Sequence, residues 1–557
     1  MDLDVPFYIL GQVLGSQTLE YSSRSPDGLG PSGPKRQRLY FCVTYNTGSE
    51  PAVTLESASS STDRANTPAV TFVCRRFRET AVATPRLWSN IAYDLGTQWM
   101  LTMMERAMVA PIFLWAHCRN DSHGMGPEVK AYIPKHIFHL QELALSGPED
   151  EIANLSSCLI KPAPMLELLS LNAQTIVFHS SDPPIPVPSV LFDGQTPRLS
   201  YIMLHNCVIA WDCPNFKSLT VLRLSLKPFS VYRTTVFLPS VSQLLDIIDQ
   251  NPLLKILSLE YCLPYLNSPT FPLPSPTRVS KAVHLDDLTL SGRVLDCVQV
   301  LQSLSIPATA SLHITCDSWD KTDPSLRGGK EACDLIPWLT QHLSPPESED
   351  NVSAQASFSR LSILPRDSVT RPCSINVFLE GSIQNLPIRW DLCLPVAFPS
   401  LWNYVQMLNA VFDAVPAVED VMDLALAFCE FSEEDILTVF RKMQKVEVLA
   451  ITNIDPLDLL DSIAGALDST IFFDEDGTLG ESIFFPCLKS LSVIDYNCTS
   501  FPILEECLTK RKQRGNELEK MHIRRCTVTK SQVNRFYDVV KEVYWDEVEE
   551  QNLSGLT

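Results

Sequence analysis

Leu254-Lys255-Ile256-Leu257-Ser258-Leu259-Glu260-Tyr261-Cys262 shows the pattern that recurs along the chain. Leu257 and Leu259 alternate with polar neighbours, as on a strand with one buried face. Leu254 stands three residues earlier, where the chain turns into the strand. The same spacing appears as Leu140-Leu143-Leu145, Leu166-Leu169-Leu171, Leu199-Ile202-Leu204, Leu219-Leu222-Leu224 and Leu285-Leu288-Leu290. After a gap come Val421-Leu424-Leu426, Val446-Leu449-Ile451, Leu488-Leu491-Val493 and Leu518-Met521-Ile523, which makes ten copies. Consecutive copies lie from about twenty to just over forty residues apart. No single unit buries its apolar face, whereas stacked units share one core.

Three residues past the last apolar position stand Cys207, Cys262, Cys429 and Cys526. A cysteine or asparagine there packs the turn that leaves the strand and bonds its backbone. This pattern resembles leucine-rich repeats of variable loop length. The resemblance implies a horseshoe whose concave strand surface meets a target protein. Residues between and after the buried leucines point outward, so His205, Arg223, Glu260, His522 and Arg524 are the polar candidates to face a target; the simpler reading of each is a solvated side chain. Val241 to Ile248 and Phe501 to Arg511 read as helices between strands. Lys510, Arg511, Lys512 and Arg514 close the second at its C-terminal end, where cations suit the helix dipole.

Residues 292–415 carry the pattern least clearly. Ser311 to Ile314 and Ser374 to Leu379 read as strands, residues 343–358 as an acidic loop, and degenerate repeats are expected to keep the array continuous. A helix near Ser531 to Trp545 is expected to cap its open end.

Toward the N-terminus, Val70 to Ile91 reads VTFVCRRFRETAVATPRLWSNI. Val70, Val73, Cys74, Phe77 and Ala81 make one apolar helical stripe, with Arg75, Arg76, Arg78 and Glu79 opposite. Thr84 and Pro85 start a second short helix as N-cap and first residue, anchored by Leu87, Trp88 and Ile91. The run resembles the second half of an F-box, in the form common among mushroom-type fungi, where V-C-[RK]-x-[WF] precedes T-P-x-L-W. Residues 4–14, DVPFYILGQVL, are similar to the opening F-box helix, although Tyr8 stands where the family tends to have Glu and Val5 where it has Leu. Between them, residues 16–66 hold Ser-Pro, Gly-Pro and Ser-Ser-Ser-Thr clusters and read as loop or disorder. Either a tolerated surface insertion or retained unspliced sequence accounts for this insert. Its Lys35, Arg36 and Arg38 make a small basic spot, read as a solvated loop before an import signal.

The expected fold class is therefore an α/β solenoid, a leucine-rich-repeat horseshoe with irregular repeats, preceded by a small all-α F-box-like helical domain. The expected domains are 1–93, interrupted by the insert at 16–66, and 94–557, with an irregular middle at 292–415. The resemblance to F-box proteins with such repeats implies the substrate receptor of an SCF-type cullin–RING ubiquitin ligase. Its partners would be a Skp-type adaptor, through it a cullin, and a target protein. Pro6, Ile9, Leu10, Val73, Cys74 and Phe77 would serve the adaptor face or the F-box core. A repeat scaffold without ligase coupling is the alternative.

The formal charge of −21 over 557 residues opposes a general nucleic-acid or anionic-membrane binder. No signal-like opening and no apolar run of membrane-spanning length occurs. The 17 cysteines are spread thinly, without framework spacing. Free thiols in the cytosol or nucleus follow, where Asn497-Cys498-Thr499 would go unglycosylated.

Catalytic signatures are sparse. Phe472 to Leu479, FFDEDGTL, resembles the first motif of haloacid-dehalogenase-type phosphatases, with Asp474 as nucleophile and Asp476 as general acid. That motif must end the first strand of a doubly wound sheet, yet fewer than a hundred residues remain and no later Lys and paired-acid motif follows. As a calcium loop it fails, with Leu479 at position 6 and Phe485 at position 12. His117, His123, His136 and His139 match no zinc spacing. No cofactor or metal is expected, and no enzyme activity.

Overall fold

The structure is a computed structural model. It describes residues 75–546 apart from 93–95, 118–126, 175–182, 214, 228–236, 266–275, 317–334, 344–356, 366–373, 384–385, 396–401, 416–417, 428–430, 453–458, 470, 474–478, 482 and 497–500. Pro6, Ile9, Leu10, Val73, Cys74, the 16–66 insert, His123, Cys429 and Asp474 to Thr478 lie outside the described residues. Two compact units divide the chain: Met1–Leu169 with Gln195–Arg198, and Ser170–Gly194 with Leu199–Thr557.

In the first unit α1 (Arg75–Val82) leads into a short 3-10 turn (Pro85–Trp88) and then β1 (Asn90–Ala92). There follow α2 (Thr97–Ala107), β2 (Ile112–His117), α3 (Pro127–His136), β3 (Leu140–Pro148) and α4 (Glu149–Ser156). β1 pairs parallel with β2, and β2 with β3. The expected all-α N-terminal domain is thereby corrected. The residues read as its second helix run within two positions into a strand, because Ile91 is apolar, fully buried and registered against Leu114. The described chain is α/β from there on.

Two local expectations in this stretch also change. Thr84 does not cap the turn; its hydroxyl donates back to the Thr80 carbonyl at 2.7 Å. Leu87 is exposed, and Trp88 anchors the turn alone, its Nε1 donating to the Ala81 carbonyl at 2.8 Å under the Arg106 guanidinium.

The second unit begins around β4 (Leu168–Gln174), then β5 (Tyr201–His205), β6 (Val221–Ser225), α5 (Val241–Gln250), β7 (Ile256–Glu260), β8 (Asp287–Gly292), α6 (Val294–Gln302) and β9 (Ser311–Cys316). After α7 (Leu335–Leu343) come three long strands, β10 (Ser357–Pro365), β11 (Ser374–Ile383) and β12 (Leu386–Pro395), and α8 (Trp402–Ala414). β13 (Asp423–Ala427), α9 (Glu433–Val439), β14 (Val448–Thr452) and α10 (Leu459–Asp468) precede a small hairpin of β15 (Ile471–Phe473) and β16 (Leu479–Glu481). The chain continues as β17 (Ser490–Ile494), α11 (Phe501–Gln513), β18 (Lys520–Arg524), α12 (Lys530–Phe536) and β19 (Glu542–Trp545). The helices expected at Val241 and Phe501 are present. The expected terminal helix stops at Phe536, and Glu542–Trp545 pairs instead as a strand with β18.

β5 to β9 pair parallel in chain order, and so do β13, β14, β17, β18 and β19. Between these runs the sheet order is β9–β12–β11–β10–β13, and β11 is antiparallel to both neighbours. Degenerate repeats were expected here; a meander is found. Two ten-residue strands separated by two residues can only fold back on each other, since a parallel pair needs a crossover of roughly a dozen residues or more. The result is a large, mostly parallel sheet with helices, an α/β fold. α6 to α12 pack on one another in chain order.

Every motif residue quoted above for the ten copies is no more than 5% exposed. Each such leucine contributes about 2 kcal/mol relative to an exposed one. The backbone repeats with the sequence. The carbonyl just after the first motif leucine accepts two successive N–H groups of the next copy. Thr220 O takes Lys255 and Ile256 at 2.8 and 3.2 Å, Lys255 O takes Asp286 and Asp287 at 2.7 and 3.0 Å, and Lys489 O takes Glu519 and Lys520 at 2.8 and 3.0 Å.

At the exit from the strand, Asn206, Tyr261, Asp495 and Arg525 occupy the same position and all have positive φ, from 51° to 61°. The N–H groups of Asn206, Tyr261 and Asp495 donate to Ser225, Ser291 and Arg524 of the next strand. The cysteine follows. Cys262 Sγ donates to Leu224 O at 3.4 Å, and Cys526 Sγ to Val493 O at 3.4 Å. Both acceptors are the last motif residue of the preceding copy. The expected structural role of these thiols is met at Cys262 and Cys526.

Candidate protein-binding surface

Alternation places one face of the second unit's sheet in the core and leaves the other open. One register line crosses that open face. It runs Met203, Arg223, Ser258, Thr289, His313, Asp391, Phe378, Ser362, Ala425, Ala450, Ser492, His522 and Tyr544, each paired with the next. Apart from the buried Ser258 and the exposed Tyr544, these positions are half-buried.

The face divides by charge. Near β5 to β7, Glu260 accepts the hydroxyls of Ser225 at 2.9 Å and Ser258 at 3.3 Å. His205 lies one strand beyond Ser225 in the same register. Burial pushes its pKa down, Glu260 opposes that, and Lys227 adds to it. Arg223 is central on β6, and its Nε has no hydrogen-bond partner among the described residues. In the middle, His313 stands between Asp287 at 4.0 Å and Asp391 at 3.8 Å. On the meander, Arg360 bridges Glu380 at 3.3 Å and Asp423 at 3.2 Å, and Arg389 approaches Glu380 at 4.0 Å. At the last strands the signs are mixed again, with Lys520, His522 and Arg524 on β18 beside Glu542, Tyr544 and Asp546 at β19.

The five residues expected to face a target therefore all lie on the open face, in two groups. His205, Arg223 and Glu260 meet on β5 to β7; His522 and Arg524 share β18. Asp287, His313, Asp391, Arg360 and Glu380 escaped the sequence reading. Asp287 sits on a recognised repeat, just before its second motif leucine, and was findable by alternation. His313 was findable in the same way, between Leu312 and Ile314 of the expected strand at Ser311. The other three lie on the meander, where the leucine spacing is lost and no motif marks which way they point.

Elsewhere, the paired histidines and the basic cluster of α11 have structural roles. His139 is buried; its Nδ1 donates to Ala110 O at 2.7 Å, so its Nε2 accepts from His136 Nδ1 at 2.9 Å. That is a polar pair inside the fold, and among the described residues no group of His, Cys, Asp and Glu is arranged to hold a metal. The DEDGT string links β15 and β16, which pair antiparallel as a separate two-stranded hairpin. A phosphatase nucleophile would need the end of a parallel central strand there. Of the basic residues that end α11, Arg511 is fully buried and donates to Phe484 O and Phe485 O at 2.8 and 3.0 Å. Lys510 and Arg514 both pair with Asp468. Among the described residues no helix is long and apolar enough to cross a membrane. No family model matches the chain, and no curated protein matches it.

Proposed function

We propose that this protein is a recruiting scaffold whose open sheet face holds a target protein. One observation carries the proposal: a registered row of side chains, most of them half-exposed and most of them polar, charged or aromatic, runs from Met203 to Tyr544 over buried leucines. Parallel strands in α/β proteins are usually covered on both faces. A broad face left open with mixed charge suits a protein partner, since charge arrangement sets specificity and register. The role is proximity without chemistry.

The sharper form is the substrate receptor of an SCF-type ubiquitin ligase, working in the cytosol or nucleus. Its support is the likeness of Val73 to Trp88 to the second half of an F-box, with Pro6, Ile9, Leu10, Val73, Cys74 and Phe77 toward the adaptor or its supporting core. The test is co-expression of the full chain with a Skp-type adaptor. Stable co-purification that is lost on Phe77→Ala is expected, and a well-folded protein that never retains the adaptor refutes the ligase role. Scaffolding without ligase coupling is favoured by one observation, the passage of the motif into β1 where a separate helical domain was expected. Adaptor binding that appears only after deletion of residues 16–66 supports that second reading. For the face itself, a photo-cross-linking residue at half-buried Thr289 or Ala450 should capture a target that the same residue at exposed Ile503, on α11, does not.

A further inference from the structure

The first unit carries an open face of its own. Ile112, Leu114 and Ala116 of β2 and Leu143 and Leu145 of β3 alternate into the core, so Phe113, Trp115, Glu142 and Ala144 turn the other way. All four are half-buried. Phe113 stands in register with Asn90 on one side and Glu142 on the other, and Trp115 with Ala144. Trp115 Nε1 donates to Glu142 Oε2 at 2.9 Å. Glu142 bears the only formal charge in these registers. Its carboxylate has that neutral indole as its sole partner among the described residues, whereas Glu380 and Asp423 on the second unit's face share the Arg360 guanidinium. Cations on the first unit's helices are engaged elsewhere. Arg106 lies 4.3 Å over Trp88, Lys135 lies 4.6 Å over Tyr132, and Lys130 pairs with Glu151 at 2.9 Å.

A half-buried carboxylate has lost part of its hydration, and one neutral N–H returns only part of that loss. A cation brought by a partner completes the set, and the formal charge of −21 favours the approach of a basic segment. The Phe113 ring narrows the choice of cation. Adjacent strands lie about 4.8 Å apart, so a group resting on that ring meets the carboxylate at its edge. A guanidinium does both at once: its face stacks on an aromatic ring, and its in-plane N–H groups reach sideways to a carboxylate. An ammonium is a compact, strongly hydrated point charge and gains less from the ring.

We infer that Glu142 and Phe113 form a subsite for an arginine side chain of the target protein. The guanidinium lies on the Phe113 ring and donates to the Glu142 carboxylate. Trp115 is the positioning residue, since its N–H holds that carboxylate in place. The subsite rests on the reading of the open sheet face as target-binding, and the two can fail separately.

The test uses the full chain and fluorescein-labelled Gly-Ser-Val-Thr-Arg-Thr-Val-Ser-Gly, read by fluorescence anisotropy. Two counterparts replace the arginine by lysine or by citrulline, which keeps the shape without the charge. The arginine peptide is expected to bind about threefold or more tightly than the citrulline peptide, the scale of one ion pair with a ring beneath it. In Glu142→Gln that gap should close. Trp115→Phe keeps a ring and removes the N–H, so it should narrow the gap and leave the affinity of the citrulline peptide unchanged. Phe113→Leu leaves the carboxylate in place and should bring the arginine peptide down to the lysine peptide. All three variants should keep the native circular dichroism spectrum. No binding of the arginine peptide, equal affinity for the citrulline peptide, or a gap that survives Glu142→Gln overturns the subsite. Lysine bound as tightly as arginine by the parent overturns the stacking on Phe113, and a gap untouched by Trp115→Phe overturns the positioning role. Cross-linking from Thr289 or Ala450 that persists where the peptide test fails removes only the subsite. Absence of cross-linking from both removes the open-face reading beneath it.

Discussion

His342 shows how much one half-buried ring can weigh. It lies flat against Trp338, centroids 4.7 Å apart, with Trp390 at 6.3 Å, and its Nε2 is buried without a hydrogen-bond partner among the described residues. Burial pushes its pKa from 6.5 down to about 4. The folded chain thus prefers the neutral ring while the unfolded chain protonates near pH 6.5. Its contribution is whole above pH 6.5 and is lost as pH falls toward 4, a difference of about 3 kcal/mol. His136, His205 and His522 are lowered too and add to the same acid window. His342→Phe keeps the stack and removes the unsatisfied nitrogen. Urea denaturation at pH 7 and pH 4.5 should show a smaller acid loss in that variant than in the parent; an unchanged difference would exclude His342 as its source. The thiols act at the other end of the scale. Burial raises the pKa of Cys526 to about 11 and of Cys507 to about 12. Folding therefore favours the protonated thiols, and their contribution, complete below pH 9, is lost above it.

At the scale of the element, the turn leaving β5, β7, β17 and β18 is the recurring device. A left-handed residue releases the chain from the strand; the N–H of Asn206, Tyr261 and Asp495 reaches the next strand, and the thiols of Cys262 and Cys526 reach back to the preceding one. Asn at 206 and Asp at 495 tolerate that conformation; Tyr at 261 and Arg at 525 tolerate it less, at roughly 1 kcal/mol or more. Tyr261→Asn should leave stability equal or higher. Tyr261→Val should lower it by about 1 kcal/mol, because a β-branched side chain fits φ near 57° poorly. Paired urea melts check the order, and a Val variant as stable as the Asn variant would sink the explanation. Alternation of leucines made these strands legible without coordinates. The identity of the turn residue was not legible, because positive φ is set by where the next strand's carbonyls stand and not by the residue's own preference.

For the molecule as a whole, the order of pairing controls how it comes apart. In the second unit most strands bond only to the strands adjacent in sequence, so loss of one removes support chiefly from its neighbours. β19 pairs on one side alone among the described strands. Its amides, and then those of β18, should exchange hydrogen soonest. The meander strands β10 to β12 join residues far apart in sequence and should resist longer. Hydrogen exchange read by mass spectrometry checks this order; uniform protection from β5 to β19 would mean a single cooperative unit instead. Charge over the open face is legible only at this scale, since Asp391 and Asp287 meet His313 from strands more than a hundred residues apart.

From the residue order alone came the burial of the motif leucines and the repetition of strand units, because a period of two with a leading leucine leaves one way to hide the apolar face. It also determined where the helices at Val241 and Phe501 begin. Only the tertiary structure decided that the Trp88 segment enters a strand, that Glu542 to Trp545 closes as a strand in place of a helix, and that β11 runs against its neighbours. Each of these depends on a partner strand supplying hydrogen bonds from elsewhere in the chain. Local propensity has no knowledge of that partner.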